Sequence, residues 1–282
     1  MSVVRIAHLS DPHFGTIAPG VQDGLLETLL TLKTDLVLLT GDITQRARHR
    51  QFAQAHRFAE NIREILPESA VIAVPGNHDI PLFNIFGRFF DPYRGFRKVF
   101  KFVPEKDFRR GDIVITALNS TSRWRHVQGD LSPKRTEERL KQKEQNAKIR
   151  IVAFHHPMDC RQPHDEKNLL KNRDQIFKLF ESHQIDLVVG GHIHDPFVRL
   201  SNQRYPDGQR SMVLSVAGTC LSRRIRPGAP NSFNFIEADT GSNVPRLTIS
   251  RYDVRADLRF TPEKVSHFQR SDSENGWTHY LD

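Results

Sequence analysis

The sequence predicts an α/β fold built on a mostly parallel sheet. Two observations carry that expectation. Short apolar, β-branched runs alternate with stretches of helical period in the order β-α-β-α-β, joined by short links. Each apolar run also stops abruptly at a polar group, and in open α/β sheets functional side chains gather beyond the carboxyl ends of the strands.

Val3 to Ser10 reads as the first strand and opens onto Asp11-Pro12-His13. Val21, Leu25, Leu29 and Leu32 recur at helical spacing, so Val21 to Lys33 is an amphipathic helix. Leu36 to Thr40 is the second strand and ends in Gly41-Asp42. Phe52, Ala55, Ala59, Ile62 and Leu66 mark a second helix, which Pro67 stops. The run Val71 to Val74 is the third strand. Beyond Pro75, Gly76 allows a sharp turn that delivers Asn77, His78 and Asp79 to one point.

The stretch from Ile80 to Arg110 departs from this pattern. It mixes Phe83, Phe86, Phe89, Phe90, Tyr93, Phe96, Phe100, Phe102 and Phe108 with Arg88, Arg94, Arg97, Lys98, Lys101, Arg109 and Arg110, and reads as an irregular, partly helical excursion. Ile113 to Leu118 is the next strand, followed by a charged, largely solvent-facing helix over Pro133 to Ala147. Ile149 to Phe154 ends in His155-His156-Pro157. A helix over Lys167 to Ser182 turns Leu170, Ile176, Leu179 and Phe180 inward. Asp186 to Val189 is a strand ending in Gly190-Gly191-His192-Ile193-His194. Met212 to Val216, Phe233 to Ala238 and Leu247 to Tyr252 read as three strands without intervening helices, a meander. Residues 1–256 then form one domain, and the polar stretch 257–282 is expected to be a loosely held tail.

With 282 residues, 38% hydrophobic and 26% charged, the chain has the composition of a soluble globular protein with a substantial core. No apolar run approaches the length of a membrane span. The N-terminus enters a strand without a positive n-region or a cleavage site, so no export signal is expected. Cys160 and Cys220 are too few for a disulfide framework and lack metal-site spacing. They read as reduced thiols of a cytoplasmic protein. The net charge of +8 suits solubility equally well as attraction to an anionic substrate, a nucleic acid or membrane headgroups.

Asp11, His13, Asp42, Asn77, His155, His192 and His194 all fall where strands finish. Two carboxylates, an amide and four imidazoles, with no thiolate, suit a pair of metal ions that share one carboxylate. Asp42 is the natural bridge because it has two oxygens to share. Two ions about 3.5–4 Å apart can hold a hydroxide between them and grip both sides of a phosphorus centre. Two divalent ions, two carboxylates and one hydroxide leave a single positive charge, which balances a phosphodiester. His78 follows Asn77 directly and is expected beside the metals, where it could give a proton to the leaving alkoxide or hydrogen-bond a phosphoryl oxygen. His156 reads as structural, His8 as a core histidine, and His49, His56 and His126 as surface residues.

As a set, Asp11-Pro12-His13, Gly41-Asp42, Gly76-Asn77-His78-Asp79, His155-His156-Pro157 and Gly191-His192-Ile193-His194 resemble the calcineurin-like metallophosphoesterases. The likeness covers about Val3 to Val198 and is strongest to the bacterial cyclic-nucleotide phosphodiesterase branch, class III. It implies a four-layer α/β/β/α sandwich with mixed sheets and a dinuclear site of manganese, iron or zinc. It also implies that Asp11, His13, Asp42 and His194 hold one metal, and that Asp42, Asn77, His155 and His192 hold the other. After Gly41-Asp42 the chain continues Ile43-Thr44-Gln45 rather than Asp-Arg-Gly, which argues against a protein phosphatase.

The resemblance supplies a reaction class, phosphodiester hydrolysis by metal-bound hydroxide, and a cyclic nucleotide is the leading substrate. One alternative is a pyrophosphatase acting on a nucleotide-sugar lipid such as UDP-diacylglucosamine. Its motive is the Phe- and Arg/Lys-rich segment 83–110, which could touch a membrane surface. General burial tendencies favour a cap with its aromatics inward. A nucleic-acid-binding nuclease is the other alternative, but no nucleic-acid motif appears and the charges are scattered. Arg223, Arg224 and Arg226 are either a phosphate clamp or a solvated loop. The cyclic-nucleotide relatives are compatible with a homodimer.

Overall fold

Apolar runs with no polar face must be covered on both sides, and this dictates the layering. The computed structural model describes residues 3–101, 105–141, 147–271 and 276–280. Its first half runs β1 (Val3–Leu9), α1 (Val21–Thr31), β2 (Leu36–Thr40), α2 (His49–Ile65) and β3 (Ala70–Val74), with the three strands parallel neighbours. Two short helices follow, α3 (Ile85–Phe90) and α4 (Arg94–Phe100). The second half runs β4 (Phe108–Arg110), β5 (Ile113–Ala117), α5 (Pro133–Lys141), β6 (Ile149–Ala153), α6 (Arg173–Ser182), β7 (Leu187–Gly190), β8 (Phe197–Leu200) and β9 (Val213–Val216). The chain then returns through β10 (Ser232–Asp239), β11 (Arg246–Val254), β12 (Phe260–Arg270) and β13 (Trp277–His279).

The strands form two mixed sheets, ordered β13-β12-β11-β10-β1-β2-β3 and β4-β5-β6-β7-β9-β8. Alternate residues of each strand serve different cores. Val4, Ile6, Leu36, Leu38, Ile72 and Val74 meet Ile113, Ile115, Ile149, Ile151, Leu187 and Val189 in one apolar layer between the sheets. Ala7, Leu9, Val37, Leu39 and Ala73 face the other way, toward α1, α2 and α4. Val152, Phe154, Val188 and Leu214 pack on residues of α5 and α6. The result is the expected α/β/β/α sandwich. Because β1, β2, β3, β6 and β7 all run parallel to a neighbour, their carboxyl ends open onto one edge of the sandwich.

Several expectations are corrected. β9 does not belong to a meander with β10 and β11: it pairs parallel with β7 and antiparallel with β8 in the second sheet. The helix expected from Lys167 begins at Arg173, after a 3-10 turn over Pro163–Asn168. Asn172 is engaged with the Leu131 backbone from both its amide nitrogen and its oxygen. The helix expected over Pro133 to Ala147 spans Pro133–Lys141, and residues 142–146 lie outside the described residues, as does Phe102. His8 is a core histidine as expected, bonded to Thr40 Oγ1 at 2.9 Å.

The described residues after Asp257 do not form a loose tail. β12 and β13 extend the first sheet beyond β11, and the polar composition reflects a sheet with one solvated face. Trp277 is buried between the two sheets, and its indole N–H donates to Asp186 at 2.8 Å. Cys160 and Cys220 are both free and buried. No helix among the described residues is long and apolar enough to cross a membrane.

Trp277→Ala would leave a large cavity between the sheets and remove one of the hydrogen bonds to Asp186 Oδ1, which Arg210 would still engage. Urea denaturation is expected to show a loss of about 3–5 kcal/mol. A loss under about 1 kcal/mol would mean that the C-terminal strands do not help to hold the sheets together.

Candidate metal centre

All seven side chains expected as ligands converge at the common edge of the two sheets. They form two groups. His13 Nε2 lies 3.1 Å from His194 Nε2, which is itself 3.2 Å from Asp11 Oδ1. His155 Nε2 lies 3.2 Å from both Asn77 Oδ1 and His192 Nδ1. Asp42 stands between the groups, with Oδ1 3.4 Å from His155 Nε2 and Oδ2 3.7 Å from His13 Nε2. All but His192 are buried.

The donor set fits metal ions. His155 Nδ1 donates to the Thr40 carbonyl and His194 Nδ1 to the Arg224 carbonyl, each at 2.7 Å. With those positions committed, Nε2 of each ring is the atom turned to the site, as in histidines that ligate a metal. Atoms bonded to one ion at about 2.0–2.2 Å lie roughly 3.0–3.5 Å apart, the spacing within each group. Lone pairs and carboxylate oxygens held this close repel one another unless a cation joins them.

The electrostatics point the same way. Burial alone would push Asp11 and Asp42 up. The imidazoles around them, His194 for Asp11 and His155 for Asp42, overcome burial and hold both carboxyls below the usual range. Burial would likewise depress His155, but Asp42 and then Asp11 offset it and push the ring up to about 9. His13 and His192 are held down at about 3, chiefly by burial. These are two anionic carboxylates in a shell of mostly neutral imidazoles, a surrounding that attracts cations.

The local backbone is built for this convergence. Asp11, His13, Asp42, His192 and His194 all have φ between 47° and 72°, the left-handed region. Non-glycine residues there cost about 1–3 kcal/mol each, and such strain gathers at functional sites. A Cβ on Gly191 would fall 1.8 Å from Ser10 Oγ and 2.4 Å from Asp11 Oδ2. A Cβ on Gly76 would meet the Asp42 backbone nitrogen at 2.1 Å, so only glycine lets these chains approach.

Asp79 closes the Asn-His-Asp triplet but serves the backbone. Its oxygens accept from the Ile43, Thr44 and Gly76 amides and from Thr44 Oγ1, bracing two ligand loops against each other. The His78 amide donates to Asp42 Oδ1 at 2.8 Å, and its Nδ1 donates to the Gln45 carbonyl at 2.7 Å. Its Nε2 lies 3.9 Å from Asp42 Oδ2. His156, expected as structural, bonds Ser120 Oγ at 2.8 Å and packs behind His155 and His192.

A cleft of about 550 Å³ opens over this centre, lined by Asp42, Asn77, His78, His192, His194, His126 and Arg224 among others. His126, expected on the surface, is instead half-buried, its ring 5.4 Å from that of His78. The arginine cluster divides. Arg226 is committed to a bidentate pair with Asp165, and Arg223 bonds the Ile17 carbonyl. The Arg224 guanidinium enters the cleft, 3.3 Å from both His13 Nε2 and Gln45 Oε1. Neither His126 nor Arg224 belongs to a motif; both come from loops that only the tertiary fold brings here.

The model of the calcineurin-like phosphoesterases matches residues 4–196, which contain all seven of these side chains. The chain belongs to the calcineurin-like phosphoesterase family. The motifs pointed to this enzyme class and fold. A probable cyclic nucleotide phosphodiesterase of Xenorhabdus bovienii is 25% identical over 170 residues, 58% of this chain and 62% of that protein. The chain thus spans under two thirds of that relative's length. Among solved structures, a dimetal phosphatase from Danio rerio aligns with TM-score 0.60 at 14% identity, covering 93% of this chain and 99% of the other. A purple acid phosphatase from yellow lupin, Lupinus luteus, aligns with TM-score 0.62 at 14% identity over 94% and 53% of the two chains. At such identities these two show the shared fold.

Gly191→Ala tests the close approach at this edge. The variant is expected to fold but to bind manganese at least about tenfold more weakly by titration calorimetry. Unchanged affinity would mean that Asp11 and His192 can shift without loss.

Proposed function

We propose that the chain is a dinuclear metal-dependent phosphodiesterase acting on a small phosphodiester, with a cyclic nucleotide as the leading substrate. One observation carries the reading: the two Asp42 oxygens face two separate groups of ligand nitrogens. Asp11, His13, Asp42 and His194 would hold one ion, and Asp42, Asn77, His155 and His192 the other. A nitrogen- and oxygen-rich set of this kind suits manganese, iron or zinc. Bound there, two divalent cations supply ionised water for in-line attack and neutralise charge on the phosphoryl oxygens.

The chain's own residues supply the rest. His78, its ring fixed by the Gln45 carbonyl, turns Nε2 toward the cleft and is placed to give a proton to the leaving alkoxide. Arg224 has no carboxylate partner among the described residues. Its guanidinium can bind a non-reacting phosphoryl oxygen in a charge-assisted hydrogen bond. The cleft volume accommodates a nucleotide-sized ligand. The cyclic nucleotide assignment draws on the Xenorhabdus relative, and the cytoplasmic one on the two free cysteines. A second reading, a pyrophosphatase of a nucleotide-sugar lipid, is favoured by the exposed aromatic side chains of residues 83–90.

Manganese-loaded protein is expected to hydrolyse bis(p-nitrophenyl) phosphate and to lose that activity with chelator. Asp42→Ala or Asn77→Ala should lower it at least about a hundredfold. Fewer than one bound ion per chain by elemental analysis would refute the dinuclear reading. His78→Ala should keep its metals and lose about 10²–10⁴-fold in kcat; unchanged turnover would remove its role. Arg224→Ala should raise KM at least about tenfold, with Arg224→Lys a poor rescue because a lysine lacks the planar fork.

A further inference from the structure

The excursion between β3 and β4 hides only part of its aromatic surface. Phe96 and Phe100 of α4 are buried against α2 and complete the outer core, as a cap should. The residues just before them face solvent: Phe83 is 75% exposed, Ile85 66%, Phe86 78% and Phe90 82%, joined by Trp124 at 77%. Phe86 and Phe90 stack on one another at 6.2 Å, and Phe89 and Trp124 meet at 4.9 Å. Side chains of this size cost free energy to leave in water, and a contiguous exposed set marks an interaction surface.

This face is rigidly tied to the cleft. The buried Arg88 guanidinium donates to the carbonyls of Arg123 at 2.6 Å, Arg125 at 2.9 Å and Pro81 at 3.3 Å, locking α3 to the loop 121–128. That loop carries Trp124 on the apolar face and His126 and Val127 in the wall of the cleft. The charge around the face is predominantly positive. From 80 to 101 the chain has five Lys or Arg residues against one Asp, and of the two Arg residues from 121 to 128, Arg125 pairs with Asp130 while Arg123 bonds the Phe89 carbonyl. Asp91 is already paired with Arg97. Beside the face lies a groove of about 630 Å³ with Phe52, Phe86, Phe90 and Pro92 among its apolar walls and Arg94 and Lys98 as its cations.

We infer that this face docks the protein onto a lipid bilayer carrying anionic headgroups, and that the adjoining cleft takes, in addition to a small soluble diester, an amphiphilic phosphoester held in that bilayer. Large aromatic side chains with Arg and Lys beside them match the two layers of a bilayer surface, apolar chains below and phosphate charge above. The docking half stands on the surface alone; the substrate half rests on the phosphodiesterase reading above.

Sedimentation with phosphatidylcholine vesicles, with and without phosphatidylglycerol, tests the docking. The wild-type protein is expected to pellet with the phosphatidylglycerol vesicles and to be released by salt. Phe83→Ser/Phe86→Ser/Phe90→Ser should weaken that binding at least about tenfold while keeping full hydrolysis of soluble bis(p-nitrophenyl) phosphate. Arg94→Glu/Lys98→Glu should lose the preference for anionic vesicles. Absence of wild-type pelleting, or binding retained by the triple variant, would overturn the proposal. So would a wild-type dimer that the triple substitution makes monomeric without any vesicle binding, because the face would then belong to a second copy. For the substrate half, an acyl-chain phosphodiester embedded in the vesicles should be cleaved at least about tenfold faster by wild type than by the triple variant; equal rates would refute it. A wild-type protein that pellets but cleaves neither diester would count against the phosphodiesterase reading and leave the docking intact.

Discussion

Asp11 and Asp42 are carboxylates buried at the edge of a β-sandwich, and much of the local structure serves to keep them ionised there. A buried carboxylate without compensation loses several kcal/mol of solvation. Here Asp11 takes hydrogen bonds from Ser10 Oγ at 2.6 Å and the His192 amide at 2.9 Å, while Asp42 takes one from the His78 amide. Imidazoles supply the remaining contacts, and these rings are themselves held by carbonyls of Thr40 and Arg224. The arrangement is polar and converging, with more acceptors than donors. Such a centre is completed by cations.

Holding it requires precision that loops alone do not provide. The seven converging side chains follow β1, β2, β3, β6 and β7 by two to four residues, so each is placed by a strand buried on both faces. Two sheets contribute, and the apolar layer between them sets how far apart their ligands lie. Against this rigidity the turns carry strain, with five ligands in left-handed backbone conformations. The surrounding core overcomes that cost, and Asp79 ties the Gly76 and Ile43–Thr44 loops together through a buried carboxylate.

The same economy explains the cap. Arg88 spends its buried charge on backbone carbonyls rather than on a partner acid, so α3 and the loop 121–128 move with the cleft wall. The cleft of this chain therefore joins two surfaces, the polar floor around Asp11 and Asp42 and the aromatic rim above it. The reaction class follows from the floor, and the proposed lipid docking from the rim.

The convergence of the seven side chains was legible because metal chemistry demands particular groups, and parallel strands deliver them at predictable places. An apolar run ending in Asp-Pro-His or Gly-Asp has a meaning that needs no neighbour to complete it. Polar strands were harder: β12 buries only Phe260, Ser266 and Phe268, so its composition resembles a tail until β11 and Trp277 are seen beside it. β9 likewise has a strand's sequence but not a partner's address, since pairing is a long-range choice. Arg224, His126 and the brace role of Asp79 have no local signature at all, and the outward turn of Phe83, Phe86 and Phe90 ran against the burial expected of aromatics. The chain alone thus determined the strand-end chemistry and the layered class, because both depend on local pattern. Which loops meet over the ligands, and which apolar groups stay in water, was decided by packing, because those contacts join residues far apart in sequence.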